Sequence, residues 1–465
     1  MRLPMPPSPT IVAFAADFDK VFQGVDFSFF VAFMSVFCQG HDDRTITQVQ
    51  QAAVFERDYS RFWNFLDGAD FDDDEMYRIQ VGQLVNYGMK TRLPDEREVF
   101  VGTVDDTLNR RPYGPKLFGS QIHHDHAAKS HQSTFALGQN QVALGLVPDA
   151  LDPDGARCFL LDSELYVSEK EALEAGHDTL AFETRLVLAS LLVERFCDTL
   201  DDEDWFYVLC DAWYTKLPFL QRVLKRDRTH VIGRLQKNRV LYELPEQKPP
   251  GAPGRPRKYG SRWDWEQALQ TEGVEIEQLH YGRVRRLRYV AKVVRLKKFD
   301  PPVMVIAAQY IDRADSEPVL FLCTDTELDP ELALELYCAR FSEEEAFKDA
   351  RQVIGWGTER VRGRRRWLRY MRLMFLAFGW LRMIAEGQSE AIHERLHDNW
   401  RKRQPRLTLG QVQQGLRYES WRGERVFRTS GFDPDSPKTR AAYRRAVKPQ
   451  RKHRSSRSRW AESVA

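Results

Sequence analysis

The sequence predicts an α/β protein with helical ends and a β-rich, basic middle. Three observations carry this. Two apolar runs of the buried-strand type, EVFVGTV (residues 98–104) and WFYVLC (residues 205–210), each end at an aspartate, Asp105 and Asp211. Residues 180–196 and 217–225 repeat their apolar positions at helical spacing. Residues 277–296 and 303–310 alternate as antiparallel strands do.

Taken in order, residues 1–95 read as mostly helical, with short helices at 47–55 and 59–66 and an acidic run at 70–75. Residues 141–147 and 158–161 are further strand candidates, as are 230–235 and 319–323. The stretch EQKPPGAPGRPRKYG (residues 246–260) is rich in Pro and Gly and is expected to be a loop. Pro330 opens a helix expected to run to about residue 353, because proline suits a first helical turn. The chain then reads as helical to about residue 388. Its basic, Ser-rich end is expected to be a disordered tail. The resulting division is 1–95, 96–232, 233–318, 319–357, 358–446 and 447–465.

Composition narrows the class. Hydrophobic residues make up 42% of the 465, which suits a globular enzyme with a sizeable core. The six cysteines form no CxxC pair, so neither a zinc ribbon nor a redox motif is indicated, and scattered thiols suit a reducing cytoplasm. Asp17, Asp19 and Lys20 interrupt the N-terminus early, so it does not read as a signal peptide. Residues 27–37 are too short to span a bilayer, and residues 368–384 carry Arg369, Arg372 and Arg382. Both are expected to be buried helices, with no membrane partner. Net charge is only +2, but it is uneven: −7 over residues 1–100, −12 over 101–215, +12 over 216–300, −8 over 301–355 and +17 over 356–465. Basic blocks bind polyanions and acidic ones can hold cations. Two solvated surfaces would give the same asymmetry.

Asp105 and Asp211 close two separate strands, the edge where α/β sheets gather ligand-binding groups. Glu344 lies inside the expected 330–353 helix. Three converging carboxylates can hold two hard divalent cations, which activate the attacking oxygen and stabilise the leaving one in phosphodiester chemistry. On one continuous helix, Tyr337, Arg340, Glu344 and Arg351 fall on one narrow stripe. Arginines there can grip phosphates bidentately, although a salt-bridged solvated face is the plain alternative, with Glu343, Glu345, Lys348 and Asp349 nearby.

YCARFSEEEAFKDAR (residues 337–351) resembles the Y-(2)-R-(3)-E-(6)-K signature of insertion-sequence DDE transposases, specifically the insertion-sequence-4 family. VLCDAWYTKLPFLQ (residues 208–221) and VDDTLNRR (residues 104–111) are similar to that family's second and first aspartate motifs. HVIGRLQKNRVLY and PGRPRKYG also resemble members of the group. The similarity covers roughly residues 105–357, with a weaker echo in DRTITQVQ and YSRFWNFL. It implies a ribonuclease-H-like catalytic core interrupted by a β-rich insertion at 233–318, helical N- and C-terminal regions, and DNA binding by the first 95 residues. It implies cut-and-paste chemistry with two Mg²⁺ ions per site, Mn²⁺ substituting, at Asp105, Asp211 and Glu344. DNA, as transposon terminal inverted repeats and target, is the implied partner, with a homodimer acting on it in the bacterial cytoplasm at the nucleoid. Tyr337 and Arg340 would contact transposon-end phosphates. Arg351 stands where the signature has Lys, keeping the charge but not the geometry. Asp106 rivals Asp105, which is preferred because it directly follows the strand.

Four features remain. GRPRK (residues 254–258) resembles a minor-groove AT-hook through Arg255, Arg257 and Lys258; a loop touching phosphates alone is the alternative. Trp263 and Trp265 are expected to pack rather than to stack on a base. The run His123-His124-Asp125-His126 reads as a polar segment, since adjacent residues rarely aim at one ion. VRGRRRWLR (residues 361–369), with Arg364, Arg365 and Arg366, and Lys348 before it, is expected to bind phosphate. The acidic N-terminal region is an awkward DNA grip, so the basic C-terminal region is expected to supply part of it.

Overall fold

The computed structural model describes residues 6–22, 26–40, 45–53, 58–69, 71–125, 128, 133–152, 155–170, 182–247, 255, 257–386, 407–423, 426, 433 and 435–447. The chain forms two compact units, one of residues 80–382 and one of residues 1–79 with 383–465.

The larger unit is built on one mixed sheet. Its twelve described strands are β1 (Lys90–Arg92), β2 (Glu98–Arg110), β3 (Gln121–His124), β4 (Phe135–Leu146), β5 (Phe159–Tyr166), β6 (Trp205–Cys210), β7 (Thr229–Leu235), β8 (Leu241–Glu243), β9 (Val274–His280), β10 (Arg283–Leu296), β11 (Val303–Tyr310) and β12 (Val319–Cys323). The main path runs β3-β4-β2-β6-β7-β12-β11-β10-β8. β2 pairs antiparallel with β4, and parallel with β6; β6 pairs parallel with β7. These are the strands that read as near-continuous apolar runs, because both faces are covered. On one face the helix Arg185–Cys197 sends Phe196 edge-on against Phe100 and Phe206, at 5.6 and 4.8 Å. Such contacts add to the burial of large aromatic surface.

The α/β expectation is met, and the structure refines the insertion. Its strands β9, β10 and β11 pair antiparallel, as expected, but β11 does not alternate: its first six residues, Val303–Ala308, are all buried. They do not form a sheet of their own. β12 pairs with β7, so the core sheet and the basic stretch are one hydrogen-bonded surface. Trp263 and Trp265 are buried, as expected of packing residues.

Two boundaries differ from the sequence reading. β2 does not end at residue 104. It continues to Arg110 because β4 keeps pairing with it, Asp105 opposite Ala143 and Arg110 opposite Gly138, after β6 has turned away. The single helix expected from Pro330 is instead Pro330–Cys338, a tighter turn at Ala339-Arg340 with i to i+3 hydrogen bonds, then Phe341–Asp349 and a wider π turn, Ala350–Ile354. Gly355 closes that turn at φ 74°, a left-handed conformation that glycine takes without a steric penalty.

The smaller unit is helical. Phe22 stacks on Phe30 at 4.3 Å, Phe29 meets Phe62 edge-on at 4.8 Å, and Phe33 lies over Phe65 at 5.6 Å. The helix Leu409–Arg422 joins this cluster. Its buried Glu419 accepts hydrogen bonds from Ser8 Oγ at 2.5 Å, Thr10 Oγ1 at 3.0 Å and the Val426 N–H at 3.0 Å. The N-terminal helices, expected as a region of their own, thus share one core with the C-terminal ones. Residues 448–465, nearly all of the expected tail, lie outside the described residues. Among the described residues no helix is long and apolar enough to cross a membrane.

Candidate active site

The site grows from the pairing of β2 with β6. The last registered pair is Val104 with Cys210, and Asp105 and Asp211 come next on each strand. Registered residues of a parallel pair share a face, so the two carboxylates are neighbours. β6 then stops. Asp211 Oδ1 accepts the backbone N–H of Trp213 at 2.7 Å and of Tyr214 at 3.3 Å, which fixes the turn and the carboxylate together.

Alternation along β2 separates Asp105 from Asp106. Thr103, Asp105, Thr107 and Asn109 face the helix Phe341–Asp349 and the turn after it, for Arg340 reaches Asp105 and Arg351 reaches Thr107 and Asn109. Asp106 faces away. It accepts hydrogen bonds from Asn140 Nδ2 at 2.9 Å, Arg185 Nη1 at 2.8 Å and Tyr214 Oη at 3.1 Å. A carboxylate with three donors is already satisfied.

Arg340 sits between two acids. Its Nη1 donates to Asp105 Oδ2 at 3.0 Å and its Nη2 to Glu344 Oε1 at 3.2 Å. Burial pushes the Asp105 carboxyl up to about 7; Arg340 opposes that rise and Asp211 adds to it. A buried acid whose proton affinity is raised by a neighbouring carboxylate marks a place where a cation is favoured.

Sequence reasoning missed Glu343. Its side chain is fully buried, and neither carboxylate oxygen has a hydrogen bond of ordinary length. Burial raises its proton affinity far above the carboxylate range, and Asp105 adds to the effect. The signal was available: Glu343, Ala346, Phe347 and Ala350 form an i, i+3, i+4, i+7 stripe of buried positions, and an acid in such a stripe is unusual.

The other expected residues are placed as follows. Tyr337 does not face a DNA-binding surface. The helix tightens at Ala339-Arg340, and Tyr337, still beside Arg340, is buried edge-on against Phe321 at 4.9 Å. Arg340 is engaged by carboxylates rather than left for phosphates. Arg351 is exposed but bonded to Asn109 and Thr107, and Lys348 is exposed. Arg255, Arg257 and Lys258 are exposed, and Lys258 pairs with Asp300; Gly254 and Pro256, the rest of the hook-like motif, lie outside the described residues. Arg364 and Arg365 are exposed and Arg366 is half-buried at the start of the helix Arg364–Glu386. Asp125 pairs with Arg110, while His123 and His124 are consecutive residues of the edge strand β3; His126 lies outside the described residues.

Metal fit can be judged from the donors. Among the described residues no three His, Cys, Asp or Glu side chains converge closely enough to hold one ion as they stand. The expected convergence is interrupted by a cation the chain itself supplies, the Arg340 guanidinium. The donors are still of the right kind. They are hard oxygens, and the buried carboxylate of Glu343 and the crowding of Asp105 by Asp211 are of the kind that suits a divalent cation.

The helix carrying these acids is firmly held. Asp349 accepts a hydrogen bond from Arg382 at 2.8 Å. Trp356 is buried against Phe347 and Phe375, each at 5.2 Å, and its indole N–H reaches Gln141 Oε1 at 2.7 Å. Gly357, at φ 90°, lies so close to β2 that a Cβ there would stand 2.9 Å from Asn109 Oδ1.

An acid-lined edge on a mixed α/β sheet, with a helix bringing further acids beside it, is an arrangement that phosphodiester chemistry can use. The family comparison agrees: the model for DDE superfamily endonucleases matches residues 33–291, and the chain belongs to that family. The family implies a ribonuclease-H-like core, DNA as substrate and divalent-metal chemistry. The matched segment contains Asp105 and Asp211 and ends before Glu344. No curated protein matches the chain.

Proposed function

We propose that the chain is a DDE transposase that cuts DNA at element ends and joins them to target DNA. The observation that carries this is the side-by-side placement of Asp105 and Asp211 beyond the last β2–β6 pair, with Arg340 linking Asp105 to Glu344. In this reading Asp105, Asp211 and Glu344 hold two Mg²⁺ ions, for which Mn²⁺ substitutes. The bound metal supplies the activated attacking oxygen and stabilises the leaving one.

The chain's own residues do the rest. The turn at Asp211 holds its carboxylate through two backbone N–H groups. Asp106, with Arg185 and Tyr214, fixes β2 from its far face. Arg340 keeps Asp105 and Glu344 apart until a cation replaces it. Arg351, Lys348 and the basic run at Arg364, Arg365 and Arg366 are the phosphate contacts; Arg255, Arg257 and Lys258 give a second one. Membership of the insertion-sequence-4 group, action as a homodimer on terminal inverted repeats, a nucleoid location and DNA recognition by the N-terminal helices belong to the same reading.

One observation favours a second choice for the third ligand. Glu343 is fully buried beside Asp105 and the Thr103 hydroxyl, whereas the Glu344 side chain is half-exposed. A plasmid carrying the DNA that flanks the gene tests both points. The chain with Mg²⁺ is expected to yield 3′-hydroxyl cuts at the element ends and joined products, and Glu344→Gln to abolish both. Cuts without joined products would reduce the activity to a nuclease. Loss in Glu343→Gln with activity kept in Glu344→Gln would transfer the ligand role to Glu343.

A further inference from the structure

Beyond Asp105, β2 runs into a basic cleft of about 640 Å³ lined by Arg110, Arg111, Tyr113, Lys116, Arg360 and Arg362, among others. Two of its arginines are structural. Arg110 is held by Asp125, its Nε at 2.6 Å, and Arg111 by Glu359 and by Gln139 at 2.9 Å. These pairs tie the end of β2 to its neighbours and compensate the charge of both arginines. Lys116, Arg360 and Arg362 are different. All three are exposed, and none has an ion pair among the described residues. The cleft therefore keeps about three uncompensated positive charges.

Tyr113 stands in the same cleft and is 97% exposed. Its loop is not loose. Pro112 and Pro115 flank the Tyr113-Gly114 pair, and successive turns close through Gly114 N–H to Arg111 O at 2.9 Å and Leu117 N–H to Gly114 O at 3.1 Å. A ring presented on a proline-fixed turn loses little freedom when something stacks on it. A bare aromatic face beside unpaired cations is the chemistry that binds single-stranded nucleic acid: the ring takes a base and the cations take its phosphates. Duplex DNA would satisfy the cations and leave the ring unused, because its bases are already stacked.

The position fits a strand leaving the cut site. From Asp105 to Arg110 is five residues of strand, about 17 Å at about 3.4 Å each. That corresponds to about five stacked base steps. Arg351 lies over the interval, bonded to Thr107 and Asn109.

We infer that the Tyr113–Lys116–Arg360–Arg362 cleft is a subsite for unpaired DNA about five nucleotides from the reacting phosphate. The inference rests on the reading of the chain as a DNA-cutting enzyme, but its test requires no chemistry. Binding of the full chain to a fluorescent 20-nucleotide thymidine oligomer, and to a 20-base-pair duplex, is measured by anisotropy in EDTA. Tyr113→Ala is expected to weaken single-strand binding about 5- to 100-fold, with Tyr113→Phe retaining it and duplex binding unchanged within about twofold. Arg360→Ala with Arg362→Ala is expected to lower the slope of log affinity against log salt by about 1.4 for the single strand. An equal loss on duplex and single strand, or no loss in Tyr113→Ala, would overturn the subsite. Absence of metal-dependent cleavage would sink the enzyme reading and leave this result standing on its own.

Discussion

Arg340→Ala exposes the logic of the site. The guanidinium stands 3.0 Å from Asp105, and both side chains are mostly buried, 17% and 20% exposed. At about 4 Å between charges and an effective dielectric constant near 20, that pair is worth about 4 kcal/mol of Coulomb energy. The Glu344 pair, with its carboxylate half-exposed, adds at most about 1 kcal/mol. Breaking one side of a buried pair costs about 3–5 kcal/mol, and partial exposure lowers that to about 2–4 kcal/mol here. A unit of about 300 residues has an unfolding entropy near 0.6 kcal/mol/K, so the metal-free variant is expected to melt about 3–6 °C below the parent. Divalent cation should then recover more of the loss in the variant than it adds to the parent, because its competitor is gone. Thermal unfolding followed by circular dichroism, with EDTA and with 10 mM Mg²⁺ or Mn²⁺, reads both effects. Equal metal shifts in the two proteins would refute the idea that Arg340 occupies the cation's place.

Other consequences follow from neighbouring geometry. Asp105→Asn is expected to lower cleavage by at least about a hundredfold, the loss seen for groups that merely support a metal ligand. Asp106→Asn should stay within about tenfold in cleavage yet lose about 2 kcal/mol of stability, since it disturbs bonds to Arg185, Asn140 and Tyr214; the reverse pattern would exchange their roles. Burial, helped by Arg285, lowers the His280 imidazole to about 4, so the folded chain keeps it neutral where the unfolded chain takes up a proton. Its contribution is complete above pH 6.5 and is lost as pH falls toward 4. His280→Gln should therefore flatten melting temperature against pH in that window, and an unchanged slope would count against it. Gly145→Ala would put a Cβ 2.2 Å from Cys158 Sγ, costing about 1–3 kcal/mol, and Cys158→Ala should restore most of that in the double variant's melting curve.

Much of this architecture can be read from the chain. The runs before Asp105 and Asp211 announce two doubly covered strands, and a parallel pair of that kind forces the two acids together. β10 carries exposed and half-exposed positions along most of its length, whereas β11 is an apolar run buried from Val303 to Ala308. What cannot be read locally depends on partners distant in sequence. The extension of β2 to Arg110 is set by β4, whose contribution at Asp105 is Ala143, so no property of residues 105–110 alone predicts it. The tighter turn at Ala339-Arg340 has no Pro or Gly to announce it. Burial of Tyr337 against Phe321 comes from strand β12, which the helix periodicity does not show. Glu343 was legible in the buried stripe of its own helix, but its proximity to Asp105 comes from packing. Tyr113 and the arginines at 360 and 362 are separated by about 250 residues, and the Arg111–Glu359 pair and the turn over Asn109 bring them together.

The smaller unit is assembled from both ends of the chain, residues 1–79 and 383–465. On the ribosome, where chains emerge at about 5–20 residues per second, residues 80–382 are all available before the first strap of the second segment is made. The phenylalanine-rich helices at the start must wait for the helix Leu409–Arg422, whose Glu419 receives Ser8 and Thr10. A message cut short after residue 382 would thus leave a sheet with its acids in place and an N-terminal segment deprived of its partner. Translation order makes the terminal unit one that closes only after the helix Leu409–Arg422 has been made.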